Sequence, residues 1–349
     1  MTTSPIVFRP EPATPSFYGL SRSRLAERLA GLGVESYRAD QIFAWVYQKH
    51  LRDSTGMTNL PSALRSRFDD VCDLSLPRVH SVSGTKDGAT HKFVLELYDG
   101  ARVECVSMRT TRRVTLCLSS QVGCALGCTF CATGLMGLKR NLRADEIVAQ
   151  VVAMGDFHGW QEDRFNLVFM GMGEPLANYK PVVEERGLNL GARRITVSTS
   201  GLVPQIRELA EEDLAVGLAV SLHATTDELR NELVPVNRRW PLGELLPAAR
   251  EFGRSTGRRV TLEYTLLGGV NDSAEDADRL ADIARELPSK INLIPYNPVP
   301  GLRWKRPSPE SVEAFAERLY PRAPAVTVRH TLGGEIWAAC GQLGGLSES

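Results

Sequence analysis

The sequence predicts an α/β fold: a partial, open (β/α)6 barrel preceded by a small helical domain and a short β-hairpin linker. Two observations carry this expectation. Strand-like runs lie near residues 114–118, 166–170, 194–199, 216–222, 259–266 and 290–294, and amphipathic segments separate most of them. Such alternation means parallel strands joined by helical crossovers, and six units are too few for the closed eight-stranded ring. The second observation is that the unusual residues, three clustered cysteines among them, fall where these strands end. In parallel α/β architectures that is where chemistry sits.

Met1 to Ser16 holds four prolines and little periodicity, so residues 1–16 are expected to form a mobile arm. Residues 17–75 read as a helical domain. Leu20, Leu25, Leu29 and Leu32 recur at helical intervals, Ile42, Phe43, Val46 and Tyr47 share a face, and Asn59-Leu-Pro-Ser62 opens a third helix. Residues 76–108 alternate apolar and polar across the turn Asp99-Gly100, which specifies a hairpin bridging two domains. The barrel then takes residues 109–349, with amphipathic segments at 145–154, 204–211, 242–252, 274–287 and 309–319.

At 349 residues, 43% hydrophobic and 23% charged, the chain has the composition of a globular protein with a large core. It shows no signal peptide, lipidation motif or apolar run of about 18 residues. A soluble, cytoplasmic protein with no membrane partner is expected, and a monomer is favoured. Formal net charge is zero, so a nucleic-acid partner must be held by a local patch. Between Phe17 and Phe68 there are eight Arg or Lys against four Asp or Glu, a surplus that suits phosphate or a solvated surface equally well.

The chemistry-bearing stretch is Cys124-Ala-Leu-Gly-Cys128-Thr-Phe-Cys131, directly after the first barrel strand. Seven cysteines, three in one loop, do not read as a disulfide framework. A structural zinc site closes with four ligands, usually as two separated pairs, and no second such pair occurs. Thiolates also hold four-iron clusters, and three of them would leave one iron open. An incomplete zinc site or three buried structural cysteines are the plainer alternatives.

The C-x3-C-x2-C spacing, with Phe130 before the last cysteine, resembles the cluster loop of radical S-adenosylmethionine (SAM) enzymes. That resemblance implies a radical SAM barrel, a [4Fe-4S] cluster on Cys124, Cys128 and Cys131, and SAM bound at the open iron. The N-terminal motifs Tyr37-Arg-Ala-Asp-Gln-Ile-Phe-Ala-Trp45 and Met57-Thr-Asn-Leu-Pro61 further resemble the accessory domain of the RNA adenine C2 methyltransferases. Residues at successive strand ends match the family's cofactor contacts: Gly173 and Glu174, Ser198, the stretch Ser221, Leu222 and His223, and Asn297. Singly, each also reads as a turn former or a satisfied strand end.

The resemblance extends to Glu104, Cys117 and the terminal Ala338-Ala-Cys340-Gly-Gln-Leu343. It implies that Cys340 carries the methyl group, that Glu104 accepts the ring proton, and that Cys117 resolves the adduct and leaves a disulfide. A radical route suits adenine C2, an electron-poor carbon that does not attack a methyl sulfonium directly. Implied partners are 23S rRNA, tRNA and an electron donor such as flavodoxin. Cys72 and Cys105 are left as structural.

Two other functions stay open on the residues. The adenine C8 methyltransferases share the cluster, Cys117 and Cys340, and Cys131-Ala-Thr-Gly with Gly137-Leu-Lys-Arg-Asn-Leu142 resembles them too. The full N-terminal motifs favour C2. A zinc-containing RNA-binding protein without catalysis would need a fourth ligand and no use for Cys340. The chain departs from the family in a short crossover, Asn178 to Gly191, and in few basic residues around Val328-Arg-His330-Thr-Leu332. Arg109, Arg112, Arg113, Lys139, Arg140 and Arg143 are candidates for phosphate contacts instead.

Overall fold

The structure is a computed structural model that describes residues 14–111, 113–160, 165–178, 192–212, 214–329 and 331–344. Short helical segments lead: Arg22–Gly31, Arg38–Phe43, Ser62–Arg65 and Phe68–Val71. Ser21 starts the first by accepting the Arg24 amide. The second runs on into a π-wound turn, Ala44–Gln48. Its buried face joins Phe17, Phe43 and Tyr47 in one aromatic cluster, Phe17 lying 5.0 Å from Phe43 and 5.4 Å from Tyr47 between ring centroids.

Three antiparallel strands follow, β1 (Arg78–Gly84), β2 (Thr90–Glu96) and β3 (Arg102–Arg109). The expected hairpin is β2 and β3, with Gly100 at φ +80° in its turn. β3 also pairs antiparallel with β4 (Val114–Cys117), so the linker strands and the barrel form one continuous sheet. β5 (Gln121–Gly123) and β6 (Leu138–Asn141) make a separate small ladder that frames the cysteine loop.

From β4 the sheet continues in parallel through β7 (Phe165–Phe169), β8 (Ile195–Thr199), β9 (Gly217–Ser221), β10 (Val260–Leu266), β11 (Ser289–Pro295) and β12 (Val326–Val328). Ten strands in the order β1-β2-β3-β4-β7-β8-β9-β10-β11-β12 form an open sheet with no closing pair among the described residues. The six predicted strands are present. β12 is an addition, three residues long and too short to carry a period-2 signal. Among the described residues five crossover helices, Ala144–His158, Val203–Glu211, Leu242–Ser255, Ala274–Arg285 and Pro309–Leu319, sit where periodicity put them. The short crossover noted above lies almost wholly outside the described residues; Asn178 itself donates to Ser120 O and Leu142 O, both at 2.8 Å.

Helix Ala144–His158 is buried on most sides because the sheet covers one face and the helical domain another. The domain is docked by Arg52 against Asp156 at 2.9 Å and by the His50 and Trp160 rings, stacked 4.4 Å apart. Within the domain, the Tyr18 hydroxyl donates to Leu74 O at 3.0 Å. Phe17 is fully buried at the hub of this packing. Phe17→Ala should therefore cost about 3–5 kcal/mol, read as a lower urea midpoint with the m-value unchanged.

Candidate active site

β4 brings Cys117 to the mouth of the barrel, and β5 turns into the three-cysteine loop. Gly123 sits at φ +81°, and a Cβ there would lie 1.9 Å from the Gly137 carbonyl oxygen, so only glycine lets β5 and β6 close beneath the loop. The loop is tied down on three sides. Trp304 Nε1 donates to Thr129 O at 2.8 Å, the Thr129 amide to Leu233 O at 3.1 Å, and the Ala132 amide to Gly341 O at 2.8 Å.

Cys124, Cys128 and Cys131 are free thiols, each partly exposed. Burial pushes the Cys124 thiol up to about 11 and raises those of Cys128 and Cys131 as well. Such thiols keep their protons until a metal cation displaces them. Among the described residues no three His, Cys, Asp or Glu side chains gather around a single point as ligands of one ion would. Thiolates at separate corners of a cluster are not required to.

Cys128 and Cys131 face an open cleft of about 800 Å³, its mouth included, lined also by Gly173, Glu174, Ser198, Ser221, His223 and Cys340. Five strand-end residues expected at the cofactor are thus brought together with the loop, and the expected methyl carrier Cys340 joins them. Gly173, at φ +102°, has no room for a side chain, since a Cβ would meet Gln121 Cβ at 2.6 Å. The Glu174 carboxylate accepts the Ser200 amide at 2.7 Å and the Leu176 amide at 3.1 Å. Burial pushes it up to about 7, against the pull of those amides.

His223 Nδ1 accepts the Thr265 amide at 3.0 Å, and burial, helped by Arg230, lowers the ring to about 3. The imidazole is neutral, with its remaining N–H available to the cleft. Tyr296 lines the same space with a buried hydroxyl that has no partner among the described residues. An unpaired phenol, a neutral imidazole and three soft donors around an open cleft fit a cluster with a polar organic cofactor beside it.

Two expected cofactor contacts, Leu222 and Asn297, do not line this cleft, and Glu104 lies apart from it. Leu222 is fully buried below the cleft, in the core. Asn297 holds the C-terminal segment: its Nδ2 donates to Cys340 O at 3.3 Å and its Oδ1 accepts from Thr331 at 2.9 Å. Glu104 is buried on β3 beside Lys92, at 3.5 Å, and accepts the Gly344 amide at 3.0 Å. Cys117 and Cys340 share a second, smaller cavity with Asn297 and Arg329.

Sequence reasoning missed Arg230, Glu263 and Arg329. Arg230 is fully buried, yet in Asp227–Leu233 it reads as one more solvent-facing charge on a polar helix. Its guanidinium donates to Ser200 O (2.7 Å), Ser221 O (3.0 Å), Leu222 O (3.0 Å) and Asn237 Oδ1 (2.7 Å). Glu263 lines the cleft from β10 and accepts Asn292 Nδ2 at 2.7 Å. Arg329, just after β12, places Nη1 3.8 Å from Cys340 Sγ.

Some expected phosphate contacts are already engaged. Arg140 pairs with Asp99 at 2.7 Å and Glu146 at 2.8 Å, and Arg143 pairs with Asp145 at 2.7 Å. Arg109 bonds His158 at 3.2 Å, while Arg113 lines a separate cleft with Arg258, Arg259 and Lys290. Lys139 is exposed. Arg112 and His330 lie outside the described residues.

Residues 118–281 match the model of the radical SAM superfamily, and residues 16–74 that of the ribosomal RNA large subunit methyltransferase N-terminal domain. The chain is 47% identical to the probable dual-specificity RNA methyltransferase RlmN 3 of Opitutus terrae, with 95% of each covered. It is 48% identical to the dual-specificity RNA methyltransferase RlmN of Anaeromyxobacter dehalogenans, over 95% of this chain and 92% of that one. The chain belongs to the RlmN family. A crystal structure of a radical SAM methyltransferase from Sphaerobacter thermophilus superposes with a TM-score of 0.89 at 48% identity, covering 95% of this chain and 99% of that one. As an RlmN family member the chain is a radical SAM RNA methyltransferase, and its superfamily works with SAM and an iron-sulfur cluster.

Within this RlmN framework, Arg230 joins the ends of β8 and β9 through three carbonyls, a task a fork of five N–H donors can do and an ammonium cannot. Arg230→Lys should lower stability by about 2–3 kcal/mol and weaken SAM binding at least tenfold, measured by chemical denaturation and by calorimetry. Retention of both would show the fork to be dispensable.

Proposed function

We propose that this chain methylates C2 of one adenine in 23S rRNA and of the adenine beside the anticodon in tRNA, with two SAM molecules and a methylated Cys340 between them. The observation that carries this reading is that Cys340 lines both cavities, the cleft of Cys128, Cys131 and Glu174 and the pocket of Cys117. A carrier must meet its methyl source and its resolving thiol from one position, and Cys340 borders both.

Cys124, Cys128 and Cys131 would hold a [4Fe-4S] cluster, and Gly173, Glu174, Ser198, Ser221 and His223 would hold SAM beside it. When bound, cluster and SAM supply the methyl group and the radical that activates it. The chain supplies position, exclusion of water and proton handling. Arg329, with Nη1 3.8 Å from the Cys340 sulfur, would orient that sulfur as the methyl acceptor. Glu104 takes the ring proton. Cys117 then attacks Cys340: an S–S bond forms, the bond from Cys340 sulfur to the base-bearing carbon breaks, and that carbon leaves with the electron pair as the new methyl group after protonation. Burial pushes the Cys117 thiol up to about 12, Arg329 opposing it, so it stays protonated until its turn.

Residues 17–75 are proposed as the RNA-binding accessory domain after a 1–16 arm, with 76–108 as linker and 109–349 as catalytic core. The match of residues 16–74 to the N-terminal domain of ribosomal RNA methyltransferases supports this. An electron donor of the flavodoxin kind and a cytoplasmic setting complete the reading. Among the described residues no helix is long and apolar enough to cross a membrane.

Anaerobically purified protein should carry about four irons per chain and lose them in Cys128→Ala; one zinc and no colour would sink the reading. The two outer cysteines separate by trapping. Cys117→Ala should accumulate a protein–RNA adduct, seen as a slow band on a denaturing gel that RNase collapses, while Cys340→Ala gives neither adduct nor methylated RNA. Normal turnover by Cys117→Ala would reject its role.

A further inference from the structure

Lys92 is a buried cation with no part in the steps above. It lies on β2 with 2% of its surface exposed, where a half-buried strand would ordinarily carry valine or threonine. An ammonium out of water survives only beside a compensating anion. Its ion-pair partner among the described residues is Glu104, Nζ to Oε1 at 3.5 Å.

The sheet register makes this pairing deliberate. Val94 stands opposite Glu104 and Lys92 opposite Val106, so Lys92 and Glu104 are diagonal neighbours on one face of β2 and β3. That face is the one turned to the chemistry, since Val106 and Met108 on it line the cavity of Cys117 and Cys340. The second carboxylate oxygen, Oε2, accepts the amide of Gly344 at 3.0 Å, four residues beyond Cys340. β2 presents Lys92 and, at its far end, Glu96 paired with Arg102 at 3.7 Å; β4 presents Cys117, Cys105 lies behind on the other face, and Met172 and Gly344 contribute only neutral atoms.

We propose that Lys92 is a positioning residue for the proton transfer: it holds Glu104 in its charged, proton-accepting form inside the protein and aims one oxygen, while the Gly344 amide ties the other to the segment that carries Cys340. This rests on the reading of Glu104 as proton acceptor. In the step itself the C2–H bond of the adduct breaks, the proton goes to a Glu104 oxygen, the bonding pair stays with the ring, the unpaired electron left there by radical addition would return to the cluster that supplied it, and Lys92 keeps its own proton. A neutral residue of the same shape at position 92 removes that cation from beside the carboxylate, which favours the protonated form.

The test compares Lys92→Met, Lys92→Arg and Glu104→Gln in the cluster-loaded protein. RNA methylation by Lys92→Met should fall at least tenfold at pH 7 and recover as pH rises, its acid limb moved up by at least one unit, with Lys92→Arg close to the parent. In RNA-free protein labelled with 13C at the glutamate carboxyl carbons, the resonance that disappears in Glu104→Gln should titrate at higher pH in Lys92→Met. Coincident pH profiles, or an unmoved carboxyl titration, would overturn the proposal, and the second readout decides even if Lys92→Met is inactive throughout. Full turnover by Glu104→Gln would instead remove the role of Glu104, leaving the carboxyl titration to judge Lys92 alone.

Discussion

The buried guanidinium of Arg230 is the constraint on which the mouth of this barrel depends. Parallel strands end in carbonyls with no next residue in the ladder to bond, and at the ends of β8 and β9 those of Ser200, Ser221 and Leu222 point to one place. Left unpaired, each would cost about 1–3 kcal/mol. Arg230 satisfies all three and gives a fourth donor to Asn237, itself held to Asp227 at 2.8 Å. Ser200 then presents its amide to Glu174, and His223 follows Leu222 into the cleft at φ +56°. The positions of the proposed cofactor contacts thus descend from one side chain that touches none of the chemistry. Burial lowers Arg230 to about 10, yet it stays cationic across the physiological range.

The C-terminal segment is held in another way. β12 returns the chain to the sheet edge beside β11, and the residues after it cross the mouth on a handful of bonds: Asn297 to Cys340 O, Gln342 to Pro298 O at 3.1 Å, Thr133 to Leu343 O at 2.6 Å and the Ala132 amide to Gly341 O. These anchors come from β11's end, from the cysteine loop's far side and, through Gly344, from β3. A segment fixed by scattered single bonds opens more easily than a sheet strand, and that suits a thiol with two cavities to serve.

Electrostatics follow the same division between structure and chemistry. Zero net charge conceals heavy internal use of cations. Arg140 and Arg143 are spent on Asp99, Glu146 and Asp145 around the start of helix Ala144–His158, and Arg52 on docking the helical domain. Lys92 and Arg329 are drawn inside, next to Glu104 and Cys340. RNA therefore has fewer free cations near the three-cysteine loop than a count of the basic residues there suggests.

The strands, the crossover helices, the hairpin and the cysteine loop were legible in the chain because each is specified locally: a period of two or of 3.6, an Asp-Gly turn, three thiols in eight residues. Strand ends could be read as a set because parallel topology sends them all to one mouth. What the sequence could not disclose was which polar residues face inward. Arg230 in a charged helix and Lys92 in an alternating strand carry the local signature of solvent exposure, and only the packing of β8, β9 and the C-terminal segment removes their water. The same holds for Leu222 and Asn297, whose neighbours in sequence enter the cleft while they do not. Local pattern determined which elements form and where the reactive thiols stand. Tertiary structure alone decided how buried charges are paired, because a partner chosen across the fold leaves no trace in spacing along the chain.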